Sequence, residues 1–338
     1  MRTSSRMALI IPLLTIAIFN SCDKRREALG ADNEIRVLCS EIDKEKIKNN
    51  LSIIFNDTIY TPQAEPYYYL RFTKPETYKD LKGQNNLIIA AINQDKENSG
   101  RQLIRKLLPK KQFSYNGNNN LIFFGRDINA FNQTLMIINA NSEKQLKASI
   151  NEKKDWIRKQ YQDQFFLRQE RFLFNDNRNY KIENDIKDDH GIDIKIPWGW
   201  EIILSSSDSN FVWIGREYPF QWISISWTKG IIAEDELSAG SYFWEWPKKY
   251  YGTIKFNDYK FHTKKKKFKN NIAWSAEGVW ETINKEDAKG GPFRSYLFYN
   301  EIYDLTYHLN MIVFNPGKDK SIYIRQMDMI LKTLKISK

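Results

Sequence analysis

The sequence predicts an α+β protein: a mixed α/β N-terminal half with one long helix, then a C-terminal antiparallel sheet with helices packed on it. Three observations predict this. Before residue 140, apolar runs of strand length are interspersed with helical patterns. From Asn141 to Phe174 a helical pattern runs without Gly or Pro. After residue 190, alternating strand-like runs are interrupted by only two helical segments. A chain of 338 residues has room for two ordinary domains, and 41% hydrophobic residues exclude global disorder.

The elements follow in order. Glu34–Cys39 reads as a strand, and Ile42 to Phe55 as an amphipathic helix on Ile42, Ile47, Leu51 and Ile54. Two prolines make Thr61-Pro62-Gln63-Ala64-Glu65-Pro66 a loop, and Tyr67 to Phe72 is an aromatic strand. Asn86 to Asn93 is continuously apolar, as in a strand buried on both faces. Gly100 to Leu108 is a helix stopped by Pro109; Leu121–Phe124 and Leu135–Ile138 are short strands. In the long helix, capped at Ser142, the apolar set is Leu146, Ile150, Ile157, Tyr161, Phe165 and Phe172. Asn175 to His190 is polar and Asn-rich and is expected to be the boundary between domains spanning 34–175 and 190–338. Beyond it, Asn210–Arg216 and Gln221–Thr228 alternate as strands do, and Ser238 to Tyr251 is a helix expected to break at Pro247. Tyr259–Phe268, Ile272–Thr282 and Phe293–Phe314 carry more strands, and a last helix starts after Asn315-Pro316-Gly317.

The first residues carry an address. Arg2 and Arg6 precede an apolar run, Met7 to Phe19, which ends at Ser21-Cys22 before Asp23-Lys24-Arg25-Arg26. The run is shorter than the ~20 apolar residues a bilayer span needs. It has the anatomy of a bacterial lipoprotein signal: residues 1–21 cleaved, Cys22 acylated, and residues 22–33 a tether. The plainer alternative is a secreted chain with an incidental cysteine. The formal charge of +11 falls to +9 once Arg2 and Arg6 leave with the signal. A basic exported domain meets anionic headgroups, polyanionic glycans or solvent, and at this location no nucleic acid. With Cys22 acylated, Cys39 is left alone in an apolar strand, a buried inert thiol rather than half of a disulfide.

Several phrases in order resemble one family: Asn33-Glu34-Ile35, Pro62-Gln63-Ala64-Glu65-Pro66, Asn210-Phe211-Val212-Trp213, Gly278-Val279-Trp280-Glu281, Gly290-Gly291-Pro292-Phe293, and Tyr323-Ile324-Arg325-Gln326-Met327 with Leu331-Lys332-Thr333-Leu334. The combination is similar to the bacterial envelope lipoproteins grouped as domain of unknown function 4837, over nearly the whole chain from Asn33 to Lys335. The resemblance implies location and architecture and supplies no chemistry. The second half also resembles, in pattern alone, a PsbP-like α/β/α sandwich, through Ile196-Pro197-x-Gly199-Trp200, the strand Phe211-Val212-Trp213 and the late strand–Asn-Pro-Gly–helix.

Candidate ligand-binding residues are Trp280, Glu281, Gly290, Gly291 and Arg294. Two adjacent glycines permit close backbone approach, in a loop that can offer N–H groups to an anion; the commoner role is a tight turn. Trp280 beside Glu281 has the residue types of a sugar cleft, where a ring stacks and a carboxylate accepts hydroxyl hydrogens, although a core Trp beside a solvated Glu is the commoner case. Glu277 and Glu281 share a strand face ~13 Å apart, beyond the ~5–9.5 Å of glycosidase pairs. Nine of ten tryptophans lie between Trp198 and Trp280, and Trp198 and Trp200 are expected to act on one face. His190, His262 and His308 are dispersed, with no zinc spacing, and catalytic residues cannot be named. Lys264 to Lys267 is expected at a sheet edge, where lysines blunt pairing. The resulting expectation is a lipid-anchored envelope protein, membrane-bound through Cys22, without cofactor or metal, acting as a non-enzymatic binding or assembly module for an envelope protein. The alternative is a glycan-binding or glycan-cleaving lipoprotein using the Trp-rich half.

Overall fold

The structure, a computed structural model, describes residues 25–61, 63–92, 95–113, 121–175, 178–284 and 286–337. The signal, Cys22 and Pro62 lie outside the described residues. Among the described residues no helix is long and apolar enough to cross a membrane.

The N-terminal half runs β1 (Glu34–Leu38), α1 (Glu41–Ile54), β2 (Thr58–Ile59), β3 (Glu65–Pro66), β4 (Tyr69–Thr73), α2 (Tyr78–Leu81), β5 (Asn86–Ala91), α3 (Ser99–Leu107), α4 (Lys110–Phe113), β6 (Ile122–Arg126), β7 (Thr134–Asn139) and α5 (Glu143–Phe174). Its five-stranded sheet has the order β4-β1-β5-β7-β6, parallel except for the edge strand β6. All six residues of β5 are buried, because helices cover both faces. Ile88 and Ala90 pack with α1 and α5, while Leu87, Ile89 and Ala91 pack with α3. Ser142 Oγ accepts the Gln145 N–H and caps α5, whose 32 residues span about 48 Å. That length lets its first half lie on the N-terminal sheet while Leu173 enters the core of the other half. Phe172, assigned to its apolar face, is exposed.

The C-terminal half runs α6 (Tyr180–His190), β8 (Ile192–Asp193), β9 (Glu201–Ser206), β10 (Phe211–Arg216), β11 (Phe220–Lys229), α7 (Glu236–Tyr250), β12 (Ile254–Phe268), β13 (Asn271–Thr282), β14 (Gly290–Asn300), β15 (Leu305–Phe314), α8 (Ser321–Thr333) and β16 (Lys335–Ile336). Seven strands form one antiparallel sheet in the order β12-β13-β14-β15-β11-β10-β9. Alternation assigns its faces. Ile223, Ile225, Leu309 and Met311 pack under α8, and Phe211, Phe293, Leu297 and Ile312 pack under α7. The result is three layers, helix–sheet–helix.

Within the segment 175–190, read as the domain boundary, α6 packs Ile182 and Ile186 against the C-terminal core, with Asn179 as N-cap and Gly191 at φ +66° as C-cap. Its polar composition hid an amphipathic helix of one narrow stripe. Helix α7 continues through Pro247 rather than breaking there, since the missing N–H costs one bond while Phe243 and Trp246 stay buried. Residues 26–33 are not a free tether. Ala28 N–H donates to Phe131 O, Phe131 N–H to Arg26 O, Leu29 N–H to Gly83 O and Asn85 N–H to Leu29 O, each at 2.8–2.9 Å. These bonds zip the segment onto the loops that precede β5 and β7.

Candidate functional site

Helix α7 covers only part of its sheet face. Beyond its end, β11, β13 and β15 present Phe220, Trp222, Trp280, Ile312 and Phe314, which with Lys289 line a small pocket of about 90 Å³. Phe220 and Trp222 also border a larger recess of about 640 Å³ that opens past Gly215 and Ile203 to Trp198, with Glu201, Arg216 and Glu217 on its rim. The two adjoin at the shared Phe220 and Trp222 rings, and together they make an aromatic groove at one end of the sheet.

Local packing explains the shape. Trp222 lies opposite Gly215 and Trp280 opposite Gly291 in the strand registers. A methyl group on Gly215 would meet the Trp222 ring, and one on Gly291 would run into the Val313 carbonyl. With no side chain beneath them, both indoles lie down across the neighbouring strand. The Trp280 N–H donates to Val313 O at 3.0 Å, which fixes that ring and leaves its apolar surface toward the pocket. Gly278 under Phe293 repeats the device one pair along. Trp213 packs edge-on against Trp222 at 4.8 Å between centroids, and its N–H is buried without a partner.

The structure separates the sequence-predicted residues. Trp280 is buried and faces α7; the adjacent Glu281 points to the opposite face, where Asn257 donates to it at 2.8 Å and Lys255 lies 3.1 Å away. The two therefore cannot line one cleft, since neighbours on a strand face opposite ways. Gly290 and Gly291 are not a loop but the first residues of β14, closing on Trp280 rather than presenting N–H groups. Trp198 and Trp200 do not share a face: Trp198 is 72% exposed and Trp200 1%, because Gly199, at φ +80°, turns the chain between them. Lys264 to Lys267 are exposed on the edge strand β12, as the pattern implied.

Arg294 lies on the α8 face in a buried polar junction. Its Nε is 3.0 Å from Glu277 Oε1, and its terminal nitrogen donates to Tyr67 Oη at 2.6 Å. Beside it the Tyr296 hydroxyl donates to Asp328 at 2.6 Å, and Lys332 pairs with Asp328 at 2.7 Å. Burial opposes charge on Glu277 and Asp328, but Arg294 with Lys266 for the one and with Lys332 for the other hold both below the usual carboxylate range. Each cation in this junction has an acid partner, so it serves to join elements.

Sequence reasoning missed two histidine sites. His190 Nε2 lies 2.7 Å from Ser205 Oγ, but its Nδ1 is buried without a partner, so no carboxylate orients the ring as a serine nucleophile requires. His308 is fully buried among Trp246, Phe243 and Tyr242, and burial depresses its pKa to about 3. Cys39 is a buried free thiol, pushed up to about 12 by burial and then by Asp43. Among the described residues no three His, Cys, Asp or Glu side chains gather as metal ligands would.

Comparison with known proteins assigns the half that holds the groove. Residues 179–333 match the family described as Domain of unknown function (DUF4837). The resemblance expected from Asn33 to Lys335 thus narrows to the C-terminal half, and residues 28–173 match a second family, Domain of unknown function (DUF8532). The two matches meet where α5 passes to α6. No curated protein matches the chain. Among solved structures, this chain is similar to the Ran-binding protein Mog1p of Saccharomyces cerevisiae, at 10% identity over 43% of this chain and 90% of that one, with a TM-score of 0.32. It is also similar to LpqN, described as involved in cell envelope biogenesis of Mycobacterium tuberculosis, at 13% identity over 44% of this chain and 83% of that one, with a TM-score of 0.29. At these scores neither likeness bears on ligand or partner.

Proposed function

We propose that this chain is a lipid-anchored binding module of the bacterial cell envelope, and that the aromatic groove of its DUF4837 half takes a glycan. The observation that carries the reading is the pair of indoles, Trp222 and Trp280, laid flat over Gly215 and Gly291 so that both line one pocket. A sugar offers what such a groove needs, an apolar C–H face for the rings and hydroxyls for the rim. Glu201 and Glu217 accept from hydroxyls and Arg216 donates to ring or carboxylate oxygens, while the exposed Trp198 extends the platform. The anchor is supported by the signal anatomy ending at Cys22.

The test is a titration of the mature chain with soluble envelope oligosaccharides, followed by tryptophan fluorescence. Saturable change is expected, weakened about tenfold in Trp198→Ala, the loss of one stacking surface at roughly 1.4 kcal/mol. Trp198 is exposed, so this variant leaves the fold intact. A flat titration across the panel, or Trp198→Ala binding as tightly as the parent, would end the glycan reading.

A further inference from the structure

The pinned N-terminal segment determines which face meets the membrane. Arg26 O is held by Phe131 N–H, and only four peptide steps separate Arg26 from Cys22. Fully extended, four residues reach about 14 Å. An acyl group on Cys22 therefore keeps the amino ends of the parallel strands within that distance of the bilayer.

That end of the N-terminal half has the composition of a membrane-facing surface. Leu29 is 67% exposed and Ile128 54%, two large apolar side chains turned mostly to solvent. They stand on the N-terminal segment and on the loop before β7. Gln133 joins that loop to the loop before β5, its Nε2 donating to Lys82 O and Gln84 O at 2.6 and 2.8 Å. Arg26 and Lys82 are exposed around them. Two acids stand among them, Glu27 and Asp127, which accept from Asn132 at 2.7 Å through its side chain and at 2.5 Å through its N–H and are matched in number by Arg26 and Lys82. Apolar side chains flanked by cations suit the headgroup layer, with the aliphatic groups in the acyl boundary and the cations on anionic phosphates.

We propose that this face, with Leu29, Ile128, Arg26 and Lys82 at its contact surface, seats on the anionic headgroup layer of the membrane and holds the protein in one orientation. The proposal rests on the reading of Cys22 as the lipid-bearing residue. It makes the anchor a short clamp rather than a long leash, and it fixes where the groove points.

The experiment couples a maleimide lipid to Cys22 of the mature chain; burial shields Cys39, so coupling is selective. The coupled protein is placed on vesicles of phosphatidylethanolamine with one quarter phosphatidylglycerol, and backbone hydrogen exchange is compared with the uncoupled protein in solution. Exchange in residues 26–30, 82–84 and 127–132 is expected to slow about tenfold. In Leu29→Asp/Ile128→Asp the protein stays on the vesicle through its lipid but loses that protection; both side chains are exposed, so the fold tolerates the change. Unchanged exchange on the vesicle, or protection over Lys264–Lys267 instead, overturns the proposal. Alkyne fatty-acid labelling in cells reads the acylation of Cys22 separately: absent label refutes the anchor reading, whereas the coupled protein reports on the face alone.

Discussion

His308 shows how one buried residue shapes the whole stability profile. The ring sits in the α7 core with both nitrogens buried and unpartnered, 4.4 Å from the Trp246 centroid, and Tyr242 is the other titratable ring beside it. Protonation would place an uncompensated charge among aromatic edges, so the folded pKa lies near 3 against an ordinary 6.5. A base with a depressed folded pKa gives stability that is complete above the unfolded value and is lost as pH falls toward the folded one. Between pH 6.5 and 5, before carboxylates titrate, this one group should remove roughly 2 kcal/mol, at about 1.4 kcal/mol per pH unit. Urea midpoints across that window should fall in the parent and much less in His308→Phe. His190 acts in the same direction but is partly exposed and contributes less. Equal slopes in parent and variant would mean that His308 is reached by solvent. None of this was legible in sequence, where three dispersed histidines carry no spacing; burial alone creates the effect.

At the scale of elements, the glycine-and-aromatic phrases acquire a common cause. Gly215 under Trp222, Gly291 under Trp280 and Gly278 under Phe293 are one device, an aromatic side chain laid over a cross-strand glycine. The cost of adding a methyl group depends on what it meets. On Gly291 it meets the rigid Val313 carbonyl, so Gly291→Ala should cost about 3 kcal/mol or more and should raise Trp280 from its bond. On Gly278 it meets the edge of the buried Phe293 ring at 2.9 Å and the Phe261 Cα at 3.2 Å, less severe contacts than the one with the Val313 carbonyl, so Gly278→Ala should cost about 1–2 kcal/mol. Denaturant midpoints with tryptophan fluorescence order the two, and the reverse order would reject the explanation. Strand existence was readable from alternation, and so was the basic edge at β12. The faces of Trp280 and Glu281 were readable in principle, since adjacent strand residues must diverge. The groove was not: it is assembled from β13, β15, β11, β10 and β9, whose order in the sheet appears only in the fold. Helix α6 left a signal in Asn179, Ile182, Ile186 and Gly191, but its polar majority masked it.

At the scale of the molecule, the two halves are joined by the segment Glu65 to Tyr69 and the start of α8. Glu65 accepts the Lys320 and Ser321 N–H groups at 2.5 and 3.2 Å, so a carboxylate from one half caps a helix of the other. Arg325, buried in α8, lies 3.3 Å over the Phe165 ring and donates to Tyr67 O and Tyr68 Oη, at 3.2 and 3.1 Å. Gln326 donates to Gln169 at 2.6 Å. Glu65 and Pro66 thus meet Lys320 and Ser321, and Tyr67 and Tyr68 meet Arg325, across one junction. A junction of buried, directional bonds couples the halves into one cooperative unit. Arg325→Ala would leave Tyr67 O and Tyr68 Oη without donors and open a cavity beside Phe165, a loss of about 2–4 kcal/mol. The probes are naturally divided: nine of ten tryptophans report the C-terminal half, and hydrogen exchange of β5 reports the N-terminal one. In the parent, both should unfold at one denaturant concentration. In Arg325→Ala the two transitions should separate, because each half keeps its own sheet and core while the bonds between them are weakened. Separate transitions already present in the parent would mean that the junction only aligns the halves, and the groove and the membrane-facing end would then be free to move relative to each other.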